Sequence, residues 1–178
     1  MNTKMTFGGD DRPVSFATKL ATSPAFMNLF REGMALVEES AAYLDGKGRE
    51  ESKALPRLVS LAYASESMRL TTRLMQLASW LLLQRAVNEG EMSQVQAASE
   101  KRRVKLSRQD FASAPEVFEK LPERLRDLSE RSMRLQDRVM HFDQLISRHS
   151  SVTVMGGGPR PVESQLERLR MAFGVTSP

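Results

Sequence analysis

The longest continuous pattern of apolar residues runs from Pro56 to Gly90. Proline suits the first turn of a helix and glycine suits the position just after its last turn. Neither occurs in between, so the pattern predicts a helix over residues 56–89. Placed at about 100° per residue, its apolar side chains form two stripes. The first is a leucine-rich stripe of predicted core residues: Leu70, Leu74, Leu77 and Leu81. The second contains Met68, Met75, Leu82 and Ala86.

A helix with two apolar stripes is expected to be covered on both, which makes this segment a central helix with neighbours on two sides. Arg69, Arg73 and Gln76 interrupt the apolar run far short of the roughly 20 residues that a membrane span needs. The pattern therefore predicts a buried helix and no membrane span.

Two further segments show the helical spacing of three and four residues. Ser23 and Pro24 are a typical N-cap and first-turn residue, and they open a predicted helix over 24–45. Another helix is predicted over 122–149, where a single apolar stripe has a charged back. Its predicted core residues are Leu128, Leu135 and Phe142. The short connection between the first two helices predicts antiparallel neighbours. The fold class is thus all-α, an antiparallel three-helix bundle over residues 23–150.

The other segments have different compositions. Residues 1–22 are predicted to be an N-terminal tail, and the polar residues 90–114 a long loop between the second and third helices. Residues 151–178 are predicted to be a flexible linker, rich in Gly, Ser and Pro, followed by a short amphipathic segment. The side chains in that segment with the spacing of a partner-binding helix are Leu166, Leu169 and Phe173, with Arg168 and Arg170 beside them. Two interpretations remain open: a tethered helix that folds on a partner, or a segment that packs back on the bundle.

Trp80 is the only tryptophan, and the helical wheel places it among Arg and Gln side chains outside both apolar stripes. Aromatic residues inside a polar rim are enriched at protein interfaces. The interface candidates are Trp80, Arg69, Arg73, Gln76, Leu83, Gln84 and Val87. They predict a homodimer through the C-terminal half of the central helix. Burial of Trp80 under a neighbouring helix is an equally weighted alternative.

Composition and motifs narrow the chemistry. The chain has no cysteine and only two histidines, and it shows no nucleophile motif, dinucleotide fingerprint or metal-ligand spacing. A non-enzyme without cofactor or metal is therefore predicted. No secretory signal is apparent, and a cytoplasmic location is expected. A net charge of +4 and a basic cluster at Lys101–Arg108 make a nucleic-acid-binding transcriptional regulator an alternative. Because basic and acidic residues are mostly interleaved, nucleic acid is an unlikely partner.

Two blocks of sequence carry a family resemblance. SLAYASESMRLTTRLMQLASWLLLQRAVNEGEM, preceded by FREGMALVEESAAYLDG, resembles the RcdA family of alphaproteobacterial regulators of CtrA degradation, over roughly residues 14–150. The resemblance implies a non-enzymatic adaptor that binds substrates or priming factors and promotes their degradation by the ClpXP protease in cell-cycle control. It also implies a homodimer, with ClpXP, its priming adaptors and substrate proteins as partners. A purely structural helical dimer module is the remaining alternative.

Overall fold

The computed structural model describes residues 23–104, 106 and 114–154 of the chain. Within these residues the secondary structure is entirely helical, which confirms the predicted all-α class. The helices are α1 (Pro24–Asp45), α2 (Lys47–Lys53), α3 (Arg57–Asn88), α4 (Gln94–Val104), α5 (Pro115–Phe118) and α6 (Glu123–Val154). None of these helices is long and apolar enough to cross a membrane.

Local sequence signals set the ends of the long helices. The Ser23 hydroxyl accepts a hydrogen bond from the backbone N–H of Phe26 at 3.4 Å, and Pro24 occupies the first turn of α1. Helix α3 begins directly after Pro56, and Gly90 adopts a left-handed φ of 77° just beyond its end. Helices α1 and α3 lie within one residue of the predicted bounds, whereas α6 continues to Val154, so the prediction of a linker beginning at residue 151 is wrong for residues 151–154.

The prediction of a loop over residues 90–114 is wrong, because this segment contains α4. The backbone N–H of Ser93 donates to the Gln96 side-chain oxygen at 3.1 Å, and the Gln96 N–H donates to the Ser93 hydroxyl at 3.2 Å. This reciprocal capping box starts a helix in a polar sequence that has little apolar periodicity of its own. Helix α2 likewise occupies part of the connection between the first two long helices.

The core lies where α1, α3 and α6 face one another. All seven predicted core residues are buried: Leu70, Leu74, Leu77, Leu81, Leu128, Leu135 and Phe142. Helix α1 adds Phe26, Leu29 and Leu36 to them. At Gly33 helix α1 approaches α3 so closely that an added methyl group would overlap the Leu81 side chain.

Three ion pairs among the described residues join α1 to α6 along the edge of this core. The Arg131 guanidinium donates to both carboxylate oxygens of Glu39 at 2.8 Å, and Arg124 also contacts Glu39. The Arg138 side chain donates to Glu32 at 2.7 Å. Since α1 and α6 also touch each other, the three long helices enclose one core, and one face of α3 points away from it.

Candidate partner-binding surfaces

Trp80 is a core residue, and its assignment to an exposed interface is wrong. Its side chain is fully buried. The indole N–H donates to Asp143 Oδ1 at 2.8 Å, and the ring meets Phe142 edge to face with centroids 6.3 Å apart. The Lys101 ammonium lies 4.4 Å from the centroid of the indole ring. The unpredicted helix α4 supplies this lysine and covers the arc of α3 that the helical wheel leaves open.

Two other interface candidates are also buried in the protein. Arg73 is fully buried and donates to the Ser132 hydroxyl at 2.6 Å. Gln84 donates to the Asn88 side-chain oxygen at 3.0 Å and accepts from Lys101 at 2.7 Å. The remaining candidates, all partly buried, are Arg69, Gln76, Leu83 and Val87. The predicted set therefore does not form one exposed surface.

Arg73 belongs to a polar layer inside the core. Glu66, Ser129, Ser132 and Gln136 are buried with it, the first from α3 and the others from α6. Burial lowers the pKa of the Arg73 guanidinium, and the nearby Glu66 carboxylate opposes this by favouring the charged form. This polar layer explains why Arg73 is buried, although the helical wheel places it outside both apolar stripes.

A row of large apolar side chains lies on the outer face of α3, where the prediction that neighbouring helices cover both stripes is wrong. The row consists of Leu58, Leu61, Met68, Met75 and Leu82, which are 66%, 62%, 72%, 66% and 51% exposed. We call these five residues the outer stripe. From Leu61 onward they recur every seven residues, the spacing of a coiled-coil seam. Helices α1 and α6 pack together on the opposite face, so neither reaches it.

Short polar side chains lie in the gaps between these residues. Ser65, Thr72 and Ser79 lie between Leu61 and Leu82 at the intermediate heptad positions. The Ser79 hydroxyl donates to the Met75 carbonyl of its own helix at 2.8 Å. Covering that hydroxyl therefore removes little hydrogen bonding from water. The outer stripe is narrow and long, the shape of a helix–helix contact.

A cavity of about 620 Å³ lies between α3, α4 and the end of α6. Trp80, Val87 and Ile146 line its apolar side, and Lys101 and Asp143 line its polar side. Burial lowers the pKa of Lys101, while the Asp143 carboxylate, 3.4 Å from the ammonium, raises it. Lys101 belonged to the basic cluster singled out in the sequence, but its contact with Trp80 could not be predicted without α4.

The predicted tail residues Leu166, Arg168, Leu169, Arg170 and Phe173 lie outside the described residues, as do Lys105 and residues 107–113 of the basic cluster and its surroundings. In the part of the chain that the structure does describe, no three His, Cys, Asp or Glu side chains come together as a candidate metal site.

The described residues thus form an all-α protein with an exposed apolar stripe on α3 and a groove under α4. The chain belongs to the family described as "Protein of unknown function (DUF1465)", which matches residues 17–173. A solved structure, RcdA from Caulobacter crescentus CB15, is 50% identical, with a TM-score of 0.60. The match covers 72% of this chain and 96% of that one. The predicted resemblance to RcdA is confirmed. No curated protein matches the chain.

Proposed function

We propose that this chain is a non-enzymatic adaptor that binds substrates or priming factors and promotes their degradation by ClpXP in cell-cycle control. The observation that carries the proposal is the 50% identity to RcdA over 96% of that chain. The sequence resemblance implies the same role, and we propose that the protein acts in the cytoplasm. A rigid helical body with an apolar outer stripe fits a protein that acts by binding.

The test is a reconstituted degradation assay with purified ClpXP, ATP and CtrA, the substrate named by the family resemblance. Adding the chain should increase the rate at which CtrA is degraded. The assay is run both without and with priming adaptors. An unchanged rate, with and without these factors, would contradict the adaptor function for this substrate.

The adaptor is proposed to work with its C-terminal segment as a tether to a partner. Residues 156–161 are GGGPRP, a composition with little apolar surface to pack. Leu166, Leu169 and Phe173 would anchor the segment, and Arg168 and Arg170 would favour an acidic groove. Removing residues 156–178 should leave the melting temperature nearly unchanged and abolish CtrA delivery. A melting temperature lower by many degrees would instead assign the segment to the bundle.

We also propose a homodimer, formed through the outer stripe instead of the buried Trp80 region. The seven-residue spacing lets two copies of α3 pack side by side about a twofold axis. Each of the five large side chains is at least half exposed in one copy. Burying such a side chain completely contributes about 1.5–3 kcal/mol, so the stripe carries enough apolar surface for a stable contact.

The dimer proposal can be tested with two matched methionines. Met75 is 66% exposed on the outer stripe, and Met27 is 45% exposed on α1. Sedimentation equilibrium at micromolar concentration should show a dimer for the unchanged chain and for Met27→Glu, but a monomer for Met75→Glu. The carboxylate that Met75→Glu introduces would lose its water at the centre of the dimer contact, which is unfavourable for association. A monomeric unchanged chain, or a dimeric Met75→Glu variant, would contradict the assignment.

A further inference from the structure

Helix α4 covers Trp80 but fills the groove beneath it poorly. Ala97 is the only buried residue that α4 contributes, and Val95 at its start is 82% exposed. Helix α4 turns Ala97, which is 3% exposed, and Ala98 toward the groove, and each of these side chains is a single methyl group. The cavity of about 620 Å³ that remains is in the range of ligand-binding pockets and is large for a helix–helix contact in a packed protein.

Lys101 makes the polar contacts of α4 with the residues that line this cavity. The Lys101 ammonium donates to Gln84 Oε1 at 2.7 Å, approaches Asp143 Oδ1 at 3.4 Å and lies over the Trp80 ring. Its side chain is only 16% exposed. Taking an ammonium out of water is unfavourable, which the lowered pKa of Lys101 reflects. Helix α4 is therefore held by the packing of Ala97 and by Lys101, a cation whose burial opposes the attachment.

The groove without α4 has a distinct chemistry. Trp80 and Ile146 form an apolar floor, while Gln84 and Asp143 present acceptors at one edge. Asp143 also accepts the indole N–H, so the carboxylate and the face of the ring are fixed relative to each other. A cation placed over the ring meets both, as Lys101 does.

We propose that the groove formed by Trp80, Gln84, Asp143 and Ile146 is a docking site for a helix of a partner protein, and that α4 occupies it until the partner replaces it. The partner's chemistry follows from that of α4. The partner helix carries a lysine or arginine that takes the place of Lys101 over the Trp80 ring. Four residues earlier it carries the side chain that takes the place of Ala97. Large aliphatic residues stand where α4 has Ala97 and Ala98. This inference goes beyond the adaptor function and does not depend on it.

The partner can compete because the cavity leaves it room to gain affinity. Attachment in the same chain gives α4 an effective concentration on the order of millimolar, so a micromolar partner must bind about a thousandfold more tightly. Each further methylene buried improves binding roughly fourfold. Two leucines in place of Ala97 and Ala98 would add six carbon atoms, which makes a gain of about a thousandfold available.

The first measurement follows the displacement of α4 through Trp80, the only tryptophan in the chain. Lys101→Gln removes the attachment, and Arg103→Gln removes the same charge from a side chain that is 76% exposed on the outside of α4. Acrylamide should quench Trp80 fluorescence about threefold more strongly in Lys101→Gln, as expected for a larger open population, and equally in Arg103→Gln and the unchanged chain. Equal quenching in both variants would overturn the proposal.

The second measurement uses a fluorescein-labelled peptide with the sequence of residues 92–104 and the changes Ala97→Leu and Ala98→Leu. Fluorescence anisotropy should show binding to the full chain. The affinity should be about tenfold higher for the Lys101→Gln chain, in which α4 competes less. It should be at least tenfold lower for an Ala98→Leu chain, whose own α4 fills the cavity. Circular dichroism melts verify that each variant is folded.

A control peptide carries Lys101→Glu in addition to the two leucines. It should not bind, because its carboxylate would face Asp143. Equal binding of the two peptides, or equal affinity of the first peptide for all three chains, would overturn the proposal. Since neither measurement uses ClpXP or a substrate, a negative result here leaves the adaptor proposal to its own test.

Discussion

Removing the charge of Arg73 tests how the buried polar layer is held together. The Arg73 side chain is fully buried, and Nη1 donates to the Ser132 hydroxyl at 2.6 Å and to the Ser129 carbonyl at 3.5 Å. Its Nε and Nη2 have no hydrogen-bond acceptor among the described residues. The favourable counterpart is therefore the charge of Glu66, which is also fully buried. We expect the two charges to depend on each other for their stability in the core.

The magnitude follows from what each substitution leaves behind. Arg73→Met fills similar space, and the Ser132 hydroxyl keeps its own hydrogen bond to the Ser129 carbonyl at 2.7 Å. The loss is then mainly the positive charge that favours the buried Glu66 carboxylate without contacting it directly, and we expect the unfolding free energy to fall by about 3 kcal/mol. Glu66→Gln leaves the Arg73 charge behind and is expected to lower it by about 3 kcal/mol. The double variant should lose less than about 2 kcal/mol, since a buried pair replaced together is often nearly neutral.

Urea denaturation followed by circular dichroism provides the four unfolding free energies of this double-mutant cycle. All four chains should be compared at one protein concentration, because a dimer would make stability depend on concentration. Arg134→Met is the matched control, since Arg134 is 64% exposed on α6 and should change stability by less than about 0.5 kcal/mol. Additive effects of the two single substitutions, or a stabilising Arg73→Met, would refute the coupling of Arg73 with Glu66.

Three further predictions concern other parts of the fold. Trp80→Ala should lower the unfolding free energy by about 3–5 kcal/mol in urea titration, because it empties a fully buried site; a loss below about 1 kcal/mol would contradict this. Hydrogen bonding to Arg131 lowers the pKa of Glu39, so its stabilisation is present above the ordinary carboxyl pKa and is lost as pH falls. The stability difference between the unchanged chain and Glu39→Gln should shrink from about pH 7 to about pH 3, and a constant difference would exclude this linkage. Gly48→Ala should lower the melting temperature by several degrees, because the added methyl would lie 2.8 Å from the Tyr43 carbonyl oxygen; an unchanged melt would show that α2 adjusts without loss.

The long helices could be predicted because their signals are local. Pro24, Pro56 and Gly90 mark helix ends by their backbone preferences, and leucine spacing marks the faces that pack. Helix α4 was missed because its sequence is polar and only Ala97 is buried. The pair of Ser93 and Gln96 was the available signal, since their spacing is that of a capping box.

A helical wheel could not decide whether Trp80 is buried, and it did not predict the burial of Arg73 and Gln84. A helical wheel gives the direction of each side chain, but the hydrogen-bond partner that makes burial of a polar side chain possible comes from another helix. Trp80 depends on Asp143 of α6, and Gln84 on Lys101 of α4. Such pairs lie 17 to 63 residues apart in the chain, so no local pattern connects them.

The two apolar stripes of α3 differ in burial and in composition. The core stripe is built from Leu70, Leu74, Leu77 and Leu81, whose defined rotamers suit permanent close packing. The outer stripe consists of methionine and leucine, and serine and threonine lie between them. Methionine side chains are flexible and can adapt to a partner, and the hydroxyl groups between them keep this face compatible with water in a single copy. Under the proposed dimer, one face of helix α3 serves folding and the other serves association. Substitutions on the leucine face should change the unfolding free energy at any protein concentration. Those on the outer stripe should change the concentration at which copies associate, and the unfolding free energy only at concentrations where copies are dimeric, because in a single copy their side chains already face water.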